Sequence, residues 1–464
     1  MRSLLKRLRS VQSDEGLGII EVIAAFAVFS VIAVGMAYAL LSMTRLSSDQ
    51  TSRETATNLA AQQIDKIQTM TDPTAITSGP LPSVTIGTVT YDIQVNVGWV
   101  PASGNAGRCG TGGGALLYKR VNVEVTWDGM YLQNPVRADT AIAPGTRIND
   151  PDAGTIVVSI TGAIDGSPTP ATTVTITPDA GGGGEALTAA VPATDADGCT
   201  FALKVKPGKY SITISRTGYV SSDNQIAGTQ KLAQNVVAGT TLPLIFQYDN
   251  AATFVPKYAA NSTRNPAIAS NMQVTFVGTA SRTETTPVAS EKLYPKPNGY
   301  SAVPGAYNTC LNVNPGNWVG NATLADGVAS PTVSAVPGGG ADLPIALGVV
   351  NVTTPAANSY ITAVHKTSAA SNGDPGCAKA DTVAYTFTTL IPTKGTVVPI
   401  ALPYGKWQIY TGTTVGALTS APTLLAIADG VVGVDPATNT LITGLPGAGT
   451  VTGSTVVLDP RATK

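Results

Sequence analysis

Hydrophobic and polar positions divide this chain into a short, continuously apolar beginning and a long, alternating remainder. From Val22 to Met43 the residues are almost all apolar, 22 positions in a row. At 1.5 Å per residue, a helix over that run is about 33 Å long, enough for one bilayer. Ala24, Ala25, Ala27, Ala33, Gly35, Ala37 and Ala39 make it rich in small residues, which let helices approach closely in lipid. The next stretch, Thr44–Met70, is polar, yet Leu59/Ala60, Gln63/Ile64, Ile67 and Met70 recur at helical spacing. That stripe can face a sheet while Arg53, Glu54 and Lys66 stay in water. Asp72-Pro73 closes the pattern, because proline disfavours helix at the residue before it. The pattern predicts one continuous helix of about 50 residues, half apolar and half amphipathic.

Beyond Pro73 the period changes to two. Tyr91, Ile93, Val95, Val97 and Trp99 alternate with polar residues, the mark of a strand with one buried face. Leu117, Val121, Val123, Val125 and Trp127 predict a second strand. A Gly-rich turn with Cys109 and Gly112-Gly113-Gly114 joins the two as an antiparallel pair. Packed against the amphipathic helix, they give an α+β unit. A repeat follows at a spacing of about 100 residues. It runs Lys206-Pro207-Gly208-Lys209-Tyr210, then Val303-Pro304-Gly305-Ala306-Tyr307, then Leu402-Pro403-Tyr404-Gly405-Lys406-Trp407. Pro-Gly fits a type II turn, though the inserted Tyr404 leaves the turn type open in the third copy. Thr241-Leu242-Pro243-Leu244-Ile245 and Asp342-Leu343-Pro344-Ile345 are also alike. Three β-sandwich modules fit this spacing.

Composition narrows the function classes. The chain has 464 residues, of which 12% are charged, and a formal net charge of −1. No basic patch follows the first few residues, so nucleic-acid binding has no electrostatic support. Thr, Val, Ala, Gly and Pro dominate, as in exported β-rich modules with many turns.

The start of the apolar run carries a chemical anomaly. Gly16-Leu17-Gly18-Ile19-Ile20-Glu21 places a carboxylate in the first turn of a membrane-length helix. Burying one near the bilayer centre costs about 2.5–3.5 kcal/mol on insertion scales, and it needs a partner. Cleavage between Gly16 and Leu17 would create that partner, a new α-ammonium on a neighbouring copy. Arg2, Lys6, Arg7 and Arg9 hold the preceding residues in the cytoplasm. An ordinary signal peptide, with Ala37-Tyr38-Ala39 as its cleavage site, is disfavoured by the long apolar run and by Asp14-Glu15. A plain single-pass anchor gives Glu21 no purpose.

These residues resemble the N-terminal signal of type IV prepilins and type II secretion pseudopilins, usually written G-F-T-L-I-E. Here Leu replaces Phe and Gly18 replaces Thr. The resemblance covers about the first 70 residues. It implies cleavage by a prepilin peptidase after Gly16, N-methylation of Leu17, and assembly through Glu21. Tyr118-Lys119-Arg120-Val121 to Thr126-Trp127, closing near Pro135-Val136-Arg137, is similar to a strand of minor pilins of the pilus modification type. Asp197-Gly198-Cys199-Thr200-Phe201, Pro207-Gly208-Lys209-Tyr210 and Thr217-Gly218-Tyr219-Val220 resemble the carboxypeptidase regulatory-like, prealbumin-type sandwich, a structural and adhesive module.

The expected fold class is an α+β pilin-like unit followed by all-β sandwich modules. The expected boundaries are a leader at 1–16, a transmembrane half-helix at 17–43 and a pilin-like domain at 44–147. Modules follow at 150–249, 250–348 and 349–464. The expected function is a minor type IV pilin or pseudopilin, placed at a filament tip because of its bulk. The alternative is a membrane-anchored adhesin that does not assemble. The expected partners are the peptidase, other pilins, the plasma membrane and a surface ligand, with no nucleic acid. The expected location is the plasma membrane in a single pass, then a cell-surface filament.

Other chemistry is sparse, and no enzyme, cofactor or metal is expected. Cys109, Cys199, Cys310 and Cys377 allow three full pairings. An oxidising compartment favours disulfides, with Cys109–Cys199 and Cys310–Cys377 stiffening adjacent modules. Free buried thiols remain the alternative. The single histidine, His365, lies in an alternating stretch and reads as a strand residue rather than a base. Asp195 and Asp197 fit a turn better than a calcium loop. Gly181–Gly184 reads as a flexible hairpin tip. Tyr294, Tyr300 and Tyr307, near Pro295, Pro297 and Pro304, read as solvated or core tyrosines rather than as a binding patch.

Overall fold

The computed structural model describes residues 18–464 except 71, 105–106, 113, 131–133, 144–147, 149, 227, 279–281, 285–287, 369–372 and 448. The chain divides into two compact units. One comprises the N-terminal residues to Val100 with Leu117–Gly145, and the other comprises Pro101–Leu116 with Thr146–Lys464.

The first unit is built on one helix, α1 (Ile19–Gln68), 50 residues long. Its two halves face different surroundings. Apolar side chains from Ile19 to Leu46 are exposed, with Ile19 at 82% and Phe26 at 66%. From Asp49 onward a stripe of Asp49, Ser52, Ala56, Leu59, Ala60 and Ile67 is buried. The helix ends at Gln68, and Lys66 in its last turn complements the dipole. Met70 falls beyond that end and is 40% exposed, so it drops out of the predicted stripe. Asp72 then caps a 3₁₀ turn, Pro73–Ala75, by accepting from the Thr74 N–H.

The stripe packs on four antiparallel strands in sequential order: β1 (Gly79–Ile86), β2 (Val89–Pro101), β3 (Leu116–Trp127) and β4 (Val136–Ile142). Tyr91, Ile93, Val95, Val97 and Trp99 are all buried, as the alternation predicts. In β3 the parity breaks. Val121, Val123, Val125 and Trp127 face the core, but Leu117 is 51% exposed and Lys119 is 2% exposed. Lys119 replaces the expected apolar residue because its ammonium has partners. Nζ donates to the Pro73 carbonyl at 2.9 Å and to the Ile76 carbonyl, and it lies 5.2 Å from the Trp99 ring.

In the second unit, seven strands form the first sandwich: β5 (Gly154–Thr161), β6 (Thr173–Pro178), β7 (Cys199–Val205), β8 (Gly208–Ser215), β9 (Tyr219–Ser221), β10 (Thr229–Val236) and β11 (Thr241–Asn250). One sheet has the order β10-β8-β6 and the other β7-β5-β11-β9. Ile156, Val158, Ile160, Phe246 and Tyr248 from one meet Val174, Ile176, Tyr210, Ile212 and Ile214 from the other. β11 runs parallel to β5, with Pro243 opposite Val157. The similar run Gly340–Ile345 likewise pairs in parallel with Ala252–Tyr258.

The expected boundary between residues 348 and 349 crosses the interior of a single core. Apolar residues from Ala252 to Leu458 form one buried cluster. Ala346, Leu347, Val349 and Val350 are wholly buried within it. Gly348 is so close to Leu458 that a Cβ there would lie 2.9 Å from its side chain. Ala267 and Ile268 pair with Ile400 and Ala401, so strands from the two predicted modules share a sheet. A continuous apolar run at the supposed boundary is interior chain rather than linker.

The 100-residue repeat is also uneven. Gly208 and Gly405 open strands, with φ of +152° and +129°, and these strands bury Tyr210 and Trp407. Gly305, with φ of +84°, instead follows the strand Ser301–Pro304. Only Gly305 has the backbone φ of a type II turn. The middle copy is a likeness of turn chemistry, not of position.

Candidate functional site

The residues expected to carry assembly lie at the head of α1. Glu21 is in its first turn and exposed, and its N–H bonds to the Gly18 carbonyl at 2.9 Å. Gly18 precedes the helix and offers no side-chain cap. Gly16 and Leu17, the expected cleavage and methylation residues, lie outside the described residues. The apolar half of α1 has the length and composition to cross a membrane, and none of its most hydrophobic window is buried within the chain. A helix that exposes so much apolar surface requires an apolar environment outside its own fold.

The cysteines join as Cys109–Cys199 and Cys310–Cys377. The first pair ties the loop 101–116 to the start of β7, helped by Arg108 Nη2 donating to the Gly166 carbonyl at 2.6 Å. The second crosses the expected 348/349 boundary, with Cys310 in a small buried cluster with Val303 and Val313 and Cys377 packed against it.

His365 is 1% exposed and packs edge-on to Trp407, ring centroids 4.8 Å apart. Burial drives its pKa down to about 4, with Asp374 and Asp381 acting weakly against that shift. Its Nε2 lies 3.2 Å from Asn312 Nδ2. A Cβ on Gly405 would come within 2.7 Å of both groups, so the turn glycine makes room for them. The imidazole is a neutral core group.

Asp195 stabilises its own turn, its carboxylate accepting from the backbone N–H of Asp197 and of Cys199 at 2.9 Å each. Among the described residues, no three His, Cys, Asp or Glu side chains gather as a metal site. In the glycine run, Gly182 and Gly184 are packed while Gly181 and Gly183 are exposed and open to solvent. Lys209 N–H bonds to the Gly182 carbonyl, and a Cβ on Gly208 would fall 2.3 Å from Gly184 N. Gly184 lies under the Tyr210 ring, whose hydroxyl donates to the Lys206 carbonyl at 2.9 Å. Trp407 repeats this device, its Nε1 donating to the Pro403 carbonyl at 2.8 Å, again four residues back.

Tyr294 and Tyr300 are buried, so with Tyr307 they form no exposed patch. Burial raises the pKa of both Tyr294 and Tyr300 to about 12. The sequence reading also missed Arg461, which is 2% exposed and donates through Nε and Nη2 to Asp459 at 2.9 and 2.7 Å. Its third nitrogen donates to the Val319 carbonyl, and its guanidinium lies 5.3 Å from the Trp318 ring. These groups line a cleft of about 380 Å³ with Ser368, Asp374 and Lys406. Arg461 and Asp459 are paired with each other, and the Arg461 bond to the Val319 carbonyl latches the C-terminal segment to the chain around Trp318. The available signal was Asp459 and Arg461 beside a buried strand end, too common a pattern to stand out.

No protein-family model matches the chain, and no curated protein matches it. Among solved structures, BcpA, the major pilin subunit of Bacillus cereus, aligns at 14% identity over 66% of this chain and 95% of that one, with a TM-score of 0.17. InvD of Yersinia pseudotuberculosis aligns at 11% identity over 75% of this chain and 96% of that one, with a TM-score of 0.11. Superpositions at that level do not establish a shared fold.

Proposed function

We propose that the chain is a filament subunit of the type IV pilin or pseudopilin class, anchored in the plasma membrane until its helix enters the filament. One observation carries this reading. A single helix presents an apolar, membrane-length half with Glu21 in its first turn, and a second half packed on a four-stranded antiparallel sheet. A prepilin peptidase cuts after Gly16 and methylates Leu17. Glu21 then pairs with the amine of a neighbouring copy, and that ion pair offsets a desolvation neither charge could bear alone. The β-rich second unit projects from the filament, and its bulk favours a tip position.

The test is Glu21→Ala in cells. Assembly into sheared surface filaments should be lost, while the protein stays in the membrane fraction. Filaments at the wild-type level would sink the proposal and leave a membrane-anchored adhesin. N-terminal sequencing adds an independent check, since mature protein should begin at Leu17.

A further inference from the structure

The turn after β9 and the segment before Ser301–Pro304 bring together two buried groups with unsatisfied nitrogens. Lys296 is 6% exposed and Asn224 is 7% exposed. Neither Lys296 Nζ nor Asn224 Nδ2 has a hydrogen-bond partner among the described residues. Both side chains border Tyr300. Lys296 Nζ lies 5.6 Å from its ring centroid, and Asn224 Oδ1 lies 3.1 Å from its hydroxyl. The backbone fixes the same neighbourhood, because Lys296 N–H bonds to the Tyr294 carbonyl and Tyr294 N–H bonds to Asn224 Oδ1 at 2.9 Å. That last bond also fixes which end of the Asn224 amide is oxygen.

A buried ammonium and a buried amide NH₂, both unpaired, are each costly to the folded state. One reaction removes both. We propose that Lys296 and Asn224 condense into an intramolecular isopeptide bond, tying the first sandwich to the segment that follows it. Lys296 Nζ, as the neutral amine, adds to Asn224 Cγ. Charge develops on Oδ1, where the Tyr294 N–H and the Tyr300 hydroxyl can both donate; the hydroxyl also lies 2.9 Å from the Tyr294 carbonyl and serves one acceptor at a time. The Cγ–Nδ2 bond breaks as the Cγ–Nζ bond forms, Nδ2 takes up the proton that Nζ sheds, and ammonia leaves. Asp223, adjacent in the chain to Asn224, exposed, and near enough for its charge to act on Lys296, is the carboxylate that takes the ammonium's proton as the neutral amine forms and passes it to solvent. No oxidant or cofactor is needed. Burial lowers the lysine's pKa, with the Asp223 charge opposing it, which enriches the reactive neutral amine.

The bond would survive reductant, unlike the two cysteine pairs, and its existence does not depend on the filament reading. The test is mass spectrometry of the full-length protein, reduced, alkylated and digested with trypsin. The expected product joins residues 217–231 to residues 293–366 and is lighter than their sum by one ammonia. Lys296→Arg and Asn224→Ala should each abolish it. Recovery of 217–231 from folded wild-type protein only as a separate, unmodified peptide would overturn the proposal. The wild-type measurement decides alone, so misfolding of a variant does not cloud it.

Discussion

The two halves of α1 are continuous in backbone and opposite in dependence. The half from Asp49 buries a stripe that includes Ala56, Leu59, Ala60 and Ile67 against its own sheet. The half from Ile19 to Leu46 buries no large hydrophobic side chain within its own chain. Helix length and hydrogen bonding are shared, so they cannot account for the difference. What differs is who supplies the apolar surroundings: the protein's own sheet for one half and something outside the chain for the other, which on the proposed reading is a bilayer or neighbouring helices. Fold stability and membrane residence should therefore be separable along one element.

The same substitution on each half tests that separation most severely. Ala60 is wholly buried, so Ala60→Asp places an unpaired carboxylate in the core of the first unit. The expected loss is about 3–5 kcal/mol of folding stability, with the protein still membrane-bound. Val34 is 69% exposed, so Val34→Asp should leave that core untouched. It should instead cost insertion about 2.5–3.5 kcal/mol. Proteolysis of the exported part and carbonate extraction read the two effects separately. A Val34→Asp protein as protease-sensitive as Ala60→Asp would break the contrast.

Acid sharpens it from another direction. Folding depresses the His365 pKa from 6.5 to about 4. The unfolded chain therefore binds the proton first. Stability from this group is fully present above pH 6.5 and declines as pH falls toward 4. A shift of that size corresponds to about 3 kcal/mol. Thermal melts between pH 7 and 4 should show the region around His365 losing stability, and His365→Gln should flatten that dependence. Membrane extraction should not change over the same range as a result of this group. A melting temperature independent of pH would refute the buried neutral imidazole.

How much of this was legible depended on whether a signal was local. The alternation in β2 and the long helix are periodic over many residues, so the sequence reading of them holds in the structure. Lys119 defeated the same rule on the neighbouring strand. Its burial rests on the carbonyls of Pro73 and Ile76, more than 40 residues distant in sequence. The repeat misled for a related reason: turn chemistry at Gly305 matches Gly208, but only pairing partners reveal that one ends a strand and the other begins one. The shared core from Ala252 to Leu458 likewise rests on strand exchange, such as Ala267 opposite Ile400, which no spacing encodes. Of the expected site, Glu21 lies where the reading put it, on the first turn. Tyr294 and Tyr300 are core, and the group that meets the Tyr300 hydroxyl and the Tyr294 N–H, Asn224 Oδ1, comes from the first sandwich, about 70 residues earlier in sequence.

The smallest expected effect lies where the packed half of α1 hands over to the sheet. Asp72 Oδ1 accepts from both the backbone N–H and the hydroxyl of Thr74, at 2.9 and 2.7 Å. This cap holds the turn whose carbonyls receive the Lys119 ammonium. Asp72→Ala removes the cap but not those carbonyls, so about 1 kcal/mol should be lost, the usual value of such a cap. Lys119 remains paired, and the apolar half of α1 has no contact with this turn. The loss should therefore appear in denaturant melts of the first unit and leave membrane extraction unchanged. A loss of several kcal/mol would mean that the turn and the buried lysine stand or fall together, making Asp72 part of the packing that distinguishes the second half of the helix from the first.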